Sequence, residues 1–232
     1  MQLVALGDSI STANGCPGCE TFVDLYGQAI ARKTGSAVQV QNLSVPGASS
    51  ADLLSQVQAD SATRAAVAQA DILTVTIGFN DTPWGRGDDP CHVAPDFPVI
   101  MWDEITDDCI FSVTEDYEAW LDEILATVTA LRGGEPMLLR VTTVYNSVLG
   151  DHVDPGWDSP EAIAPSVKAN AAFAEVQCRL AEAYGGRCAD VLHAINGPKA
   201  TREARVYLAP DYTHMNQRGH RLTARVLKQL AN

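Results

Sequence analysis

No apolar run in this chain approaches the roughly 20 residues that a membrane-spanning helix needs, so stable insertion into a bilayer is not expected. Positive charge is also scarce: 16 Lys and Arg stand against 29 Asp and Glu, a net charge of −13. A polyanion such as nucleic acid would be repelled rather than steered in, which excludes a nucleic-acid partner. The six Cys are too scattered to supply the paired spacings of a four-ligand zinc site, so no zinc site is expected. Internal repeats, linkers and low-complexity tracts are absent as well. With 232 residues, that leaves one continuous domain over 1–232, long enough for a central sheet covered on both faces.

What is present is an ordinary globular balance, 46% hydrophobic and 19% charged. Short apolar segments ending in Gly or polar turns alternate with helical stripes. Leu3-Val4-Ala5-Leu6 reads as a buried strand broken at Gly7. Phe22, Leu25, Tyr26, Ala29 and Ile30 form a helical stripe ended by Gly35, and residues 37–43 alternate like a strand. A helix through Leu53, Leu54 and Val57, with a possible break, continues over Ala62 to Ala70 and is followed by a third strand at Ile72 to Ile77. That is β-α-β-α-β, the pattern of a parallel sheet with right-handed crossovers. Ser112-Val113-Thr114-Glu115 resembles a capping box opening a helix with the stripe Trp120, Leu121, Ile124, Leu125, Val128 and Leu131. Further on, Met137 to Tyr145 reads as a fourth strand, Val167 to Tyr184 as a helix and Cys188 to Ile195 as a fifth strand. A last helix, from about Arg218, turns Leu222, Val226, Leu227 and Leu230 inward.

Two segments break this rhythm. Residues 82–112 carry four Pro and the cluster Phe97, Val99, Ile100, Met101 and Trp102; a long irregular stretch of this kind is commonly functional and is expected to wall a substrate site. Residues 146–165, with Trp157, are the candidate opposite rim.

Chemistry concentrates at the strand exits. Gly7-Asp8-Ser9 places a hydroxyl just past the first strand, where open α/β sheets bind ligands. A serine hydroxyl needs an adjacent base and a group that orients the base. Among five His, His193 lies in an apolar run, His220 on the terminal helix and His92 and His152 in loops, whereas His214 follows a carboxylate at i, i+3 in a turn before the last helix, Asp211-Tyr212-Thr213-His214. That spacing lets the carboxylate fold back onto one ring nitrogen while the other points outward. Gly78-Phe79-Asn80-Asp81 ends the third strand, and Gly47 follows Asn42-Leu43-Ser44-Val45-Pro46 beyond the second.

With these four blocks in order, the chain resembles the GDSL family of ester hydrolases in its SGNH subgroup, its Ser, Gly, Asn and His matching Ser9, Gly47, Asn80 and His214. The resemblance implies a flavodoxin-like three-layer α/β/α fold and hydrolysis of a carboxylic ester through an acyl-enzyme, without a metal or organic cofactor. Ser9 would be the nucleophile, His214 the general base and Asp211 its partner, while the backbone N–H groups of Ser9 and Gly47 and the amide of Asn80 would form the oxyanion hole. The α/β-hydrolase elbow G-x-S-x-G is absent; its nearest approach, Gly47-Ala48-Ser49-Ser50-Ala51, ends in Ala and reads as a helix N-cap. The substrate is expected to be a small-molecule, lipid or carbohydrate ester. Apolar residues in the long loop lean towards an acyl or aromatic ester; the alternative is polysaccharide deacetylation, with Trp84, Trp102 or Trp157 as a sugar platform.

Cys16, Cys19, Cys91, Cys109, Cys178 and Cys188 fall as three sequence-local pairs among fifteen possible connectivities. Cys16-Pro17-Gly18-Cys19 lacks a thioredoxin-like context and reads as a structural clip. Three disulfides predict an exported protein. The first residues run straight into a strand, so an exported form would have lost its leader, and a monomer is expected.

Overall fold

The computed structural model describes residues 1–82, 105–149 and 160–230, with side chains described from 163 in the last span. Five strands, β1 (Gln2–Gly7), β2 (Gln39–Asn42), β3 (Ile72–Thr76), β4 (Leu138–Thr142) and β5 (Arg187–Ala189), form one sheet in the order β2-β1-β3-β4-β5. Every pair is parallel, with Leu3 opposite both Val40 and Ile72, Ile72 opposite Leu138, and Val141 opposite Cys188. β1 and β3 are buried almost throughout, as central parallel strands covered on both faces must be.

Helices α1 (Phe22–Thr34) and α7 (Gln217–Gln229) pack together; α2 (Ser50–Ala59), α3 (Ser61–Gln69), α4 (Asp107–Leu131) and α5 (Pro160–Ala183) form a second packed group. Local chemistry sets their ends. Thr21 caps α1, and Gly35 closes it in the left-handed conformation. Ser49 and Asp52 make a reciprocal capping box on α2. Asp60 ends α2 and caps α3, which is the break expected between Val57 and Ala62.

Three local readings are corrected. The helix assigned to begin at Ser112 begins at Asp107, capped by Thr106, whose hydroxyl accepts from the Cys109 N–H. Burial of Ile110, Val113 and Tyr117 extends the apolar stripe backwards, so the Ser112/Glu115 pair lies inside a continuing helix. The run from Cys188 to Ile195 is a strand only to Ala189. Asp190 then caps α6 (Val191–Asn196) by accepting from the His193 N–H, turning Val191, Leu192 and Ile195 into one helical face. Finally, α5 starts at Pro160 and contains Pro165, so the end of the assigned irregular segment 146–165 is helical. Of the expected substrate wall at 82–112, residues 107–112 belong to α4, while 83–104, with Trp84 and Trp102, and the proposed rim at Trp157 lie outside the described residues.

Disulfides join Cys16 to Cys19 and Cys178 to Cys188, and Cys109 is also disulfide-bonded. The pairing assigned to Cys91 lies outside the described residues. Among the described residues no helix is long and apolar enough to cross a membrane.

Candidate active site

Because the strands are parallel, their carboxyl ends share one edge. β1 lies between β2 and β3, so the turn after β1 is flanked by the turns after both neighbours at the point where strand order reverses. Gly7 makes that turn possible. Its φ is +145°, and a Cβ there would lie 1.9 Å from the Thr76 carbonyl oxygen, so only glycine lets β1 close onto β3 at this point. The Asp8 N–H continues the pairing to Thr76 O at 3.1 Å, after which Ser9–Ser11 form a single 3-10 turn.

Ser9 is buried, and its Oγ lies 2.9 Å from His214 Nε2. His214 Nδ1 is 2.8 Å from Asp211 Oδ2, completing a line of carboxylate, imidazole and hydroxyl. Asp211 Oδ1 accepts from the backbone N–H groups of Thr213 and His214, each at 3.0 Å. The tight turn places Tyr212 at φ +57°, an uncommon left-handed conformation for a bulky residue, with the Arg205 guanidinium over its ring. Tyr145, buried at the β4 exit, donates from its hydroxyl to Thr213 O at 2.6 Å and ties this turn to the sheet. Although burial pushes the Asp211 carboxyl up, the His214 and Thr213 N–H groups and the imidazole together hold it below the ordinary value. It is therefore ionised across the neutral range.

The other two blocks meet each other at the same edge of the sheet, past the exits of the strands on either side of β1. The Asn80 amide donates to Ala48 O at 2.9 Å, and the next residue, Asp81, accepts the Ser50 N–H at 2.9 and 3.0 Å and its hydroxyl at 2.6 Å. Asn80 and Asp81 thus grip the Gly47 turn and the first turn of α2, where a carboxylate also suits the helix dipole. Gly47 has no atom within 4 Å of the place a Cβ would occupy, so the turn faces open space. Asn80 has a second amide hydrogen beyond the one given to Ala48. Among the described residues no three His, Cys, Asp or Glu side chains gather as metal ligands.

All five site residues expected from sequence, Ser9, Gly47, Asn80, Asp211 and His214, thus stand at this edge of the sheet. Three others carried no readable signal. Asn14 lies 3.1 Å from His214 Nε2 across 200 residues of chain, Tyr145 braces the His214 turn, and Asp81 clamps α2.

Asp8, beside the nucleophile, is fully buried, and its Oδ1 accepts from the Ile10 N–H at 2.8 Å. Burial pushes its carboxyl up to about 7; the Ile10 N–H opposes the rise and the like charge of Asp81 adds to it. A carboxyl whose folded value of about 7 exceeds its unfolded value of 3.8 binds more protons when folded between those limits. Its contribution to stability therefore falls as pH rises from 4 to 7. Asp8→Asn retains the acceptor for Ile10 and removes the ionisation. Its stability relative to wild type should be lowest at pH 4 and rise by a few kcal/mol by pH 8, at about 1.4 kcal/mol per pKa unit. Urea unfolding across that range is the measurement, and a constant difference would refute the assignment.

The family model for GDSL-like lipases/acylhydrolases matches residues 5–222. No curated protein sequence matches the chain. Among solved structures, the lipase Lip_vut3 from a goat rumen metagenome is 19% identical with a TM-score of 0.77, the match covering 98% of this chain and 96% of that one. The α/β hydrolase LAE5 from the metagenome of Lake Arreo, Spain, is 22% identical at TM-score 0.63, covering 97% and 92%. Axe2, an acetylxylan esterase from Geobacillus stearothermophilus, is 19% identical at TM-score 0.64, covering 99% and 94%. At these identities the three structures establish a shared fold, while the family match spans nearly the whole chain: this protein belongs to the GDSL-like lipase/acylhydrolase family and is an ester-cleaving serine hydrolase.

Proposed function

We propose that the protein hydrolyses carboxylic esters through an acyl-enzyme on Ser9. The observation that carries this reading is the unbroken line from Asp211 Oδ2 through the His214 ring to Ser9 Oγ, with contacts of 2.8 and 2.9 Å. Ionised Asp211 holds the imidazole proton on Nδ1, leaving the Nε2 lone pair facing the hydroxyl. As Ser9 Oγ bonds the acyl carbon, Nε2 takes its proton, and the carbonyl oxygen becomes negative. The Ser9 and Gly47 N–H groups and the second hydrogen of the Asn80 amide receive that charge. Nε2 then passes the proton to the alcohol oxygen as the ester C–O bond breaks. Water, deprotonated by the same nitrogen, releases the acid and restores Ser9.

Similar folds include a lipase and an acetylxylan esterase; the first reading is an apolar acyl or aromatic ester and the second an acetylated polysaccharide. A chromogenic acetyl ester should be turned over, and a chain-length series run beside acetylated xylan should rank the substrates. Rates rising from two- to eight-carbon acyl groups support the first reading; a preference for acetylated xylan selects the second; no turnover of any ester overturns both. We also infer export, because disulfides at Cys16–Cys19 and Cys178–Cys188 need an oxidising compartment to persist.

A further inference from the structure

Near the triad an exposed amide lies against the nitrogen that must move the proton. Asn14 Nδ2 is 3.1 Å from His214 Nε2, so among the described residues that nitrogen has both Asn14 and the Ser9 hydroxyl beside it. Asn14 is held there from both sides. Its N–H bonds the Thr12 hydroxyl, which in turn donates to Ser9 O. Gly15, at φ +72°, presses so closely on the dyad that a Cβ would fall 2.2 Å from Asp211 Oδ2. Immediately beyond, the Cys16–Cys19 disulfide closes the loop, and Glu20 exchanges backbone bonds with the Gln217 side chain on α7.

We propose that Asn14 lines the leaving-group side of the site and hydrogen-bonds the alcohol portion of the substrate, favouring alcohols with hydroxyl groups beside the ester oxygen, such as polyols and sugars. The inference rests on the triad reading above. When Nε2 returns its proton, the departing oxygen must stand within about 3 Å of that nitrogen, which places it within about 6 Å of Asn14 Nδ2. Once Nε2 carries the proton, it is a donor and no longer accommodates a second donor. The amide must then turn its hydrogens elsewhere, and the alcohol is the nearest arriving group. An apolar alcohol would strip water from the amide and return no hydrogen bond, whereas a hydroxylated one would satisfy both its N–H and its carbonyl oxygen.

The test uses two acetyl esters with different leaving groups, glycerol monoacetate, whose alcohol keeps two free hydroxyls, and p-nitrophenyl acetate. Nitrophenolate departs with little need of a proton and offers no neighbouring hydroxyl. Asn14→Ala should lower kcat/KM for both, but unequally, so that the ratio of glycerol ester to nitrophenyl ester falls about tenfold, the effect of one ordinary hydrogen bond. Asn14→Ser, which keeps a short donor and acceptor, should recover part of the ratio. A merely structural loss would scale both rates together, and a ratio unchanged within about twofold overturns the proposal. Phosphonate labelling of the wild type separates the failures: label absent from Ser9 removes the triad reading and this one, whereas label on Ser9 with an unmoved ratio removes only the role of Asn14.

Discussion

Ser9→Ala is expected to lower kcat for any ester by about 10⁶-fold, the scale found when the nucleophile of such a triad is removed. The residual rate would come from binding and from the proposed oxyanion donors, which would survive because that hole uses the Ser9 backbone N–H rather than its side chain. The fold should be unaffected. The turn is held by Thr12, whose N–H and hydroxyl both bond Ser9 O, and by the Asp8 carboxylate on the Ile10 N–H, none of which uses the Ser9 hydroxyl. A phosphonate inhibitor should label wild-type protein at Ser9 alone. Turnover in Ser9→Ala above about one per cent of wild type, or label on Ser49 or Ser50, would move the nucleophile elsewhere. Ser49 and Ser50 are occupied otherwise, one in the α2 capping box and the other with Asp81.

Asn80→Ala is expected to cost about 100- to 1000-fold in kcat with KM little changed, because a donor to the oxyanion gains strength only as charge develops. The structure adds a second effect. The same amide holds Ala48 O, so the variant also frees the turn that carries Gly47. Loss of that bond, about 1 kcal/mol, should lower the melting temperature by roughly 2 to 4 °C in a chain of this size. Asn80→Asp should be at least as harmful, since a carboxylate faces both the Ala48 carbonyl oxygen and the developing oxyanion. If Asn80→Ala lowers the melting temperature but keeps kcat within about threefold of wild type, Asn80 is scaffold only, and the hole has two backbone donors.

Much of the fold was legible because it rests on local patterns. The β1 and β3 runs are continuous and apolar, as buried parallel strands require, and Gly35, Ser49 and Asp60 each sit where a helix end needs them. The misreadings arose where two local signals competed. Ser112 and Glu115 satisfy a capping box on paper, but burial of Ile110 and Val113 favours continuing the helix through them. Val191 to Ile195 is apolar enough for a strand, yet Asp190 supplies an N-cap and the run becomes α6. Short apolar runs do not distinguish the two periods, and the cap decides.

The sequence by itself determined the parallel α/β architecture, the identity of the four blocks and the pairing of Asp211 with His214, since each is written in residue type and short spacing. Only the tertiary structure decided how the blocks meet. The contact of Asn14 with His214, the grip of Asn80 and Asp81 on the Gly47 turn, and the tether from Tyr145 to Thr213 join residues 31 to 200 positions apart. No periodicity or motif records such a contact. It exists because parallel strands bring every carboxyl end to one edge, where turns distant in sequence must share the same few ångströms and satisfy one another's polar groups.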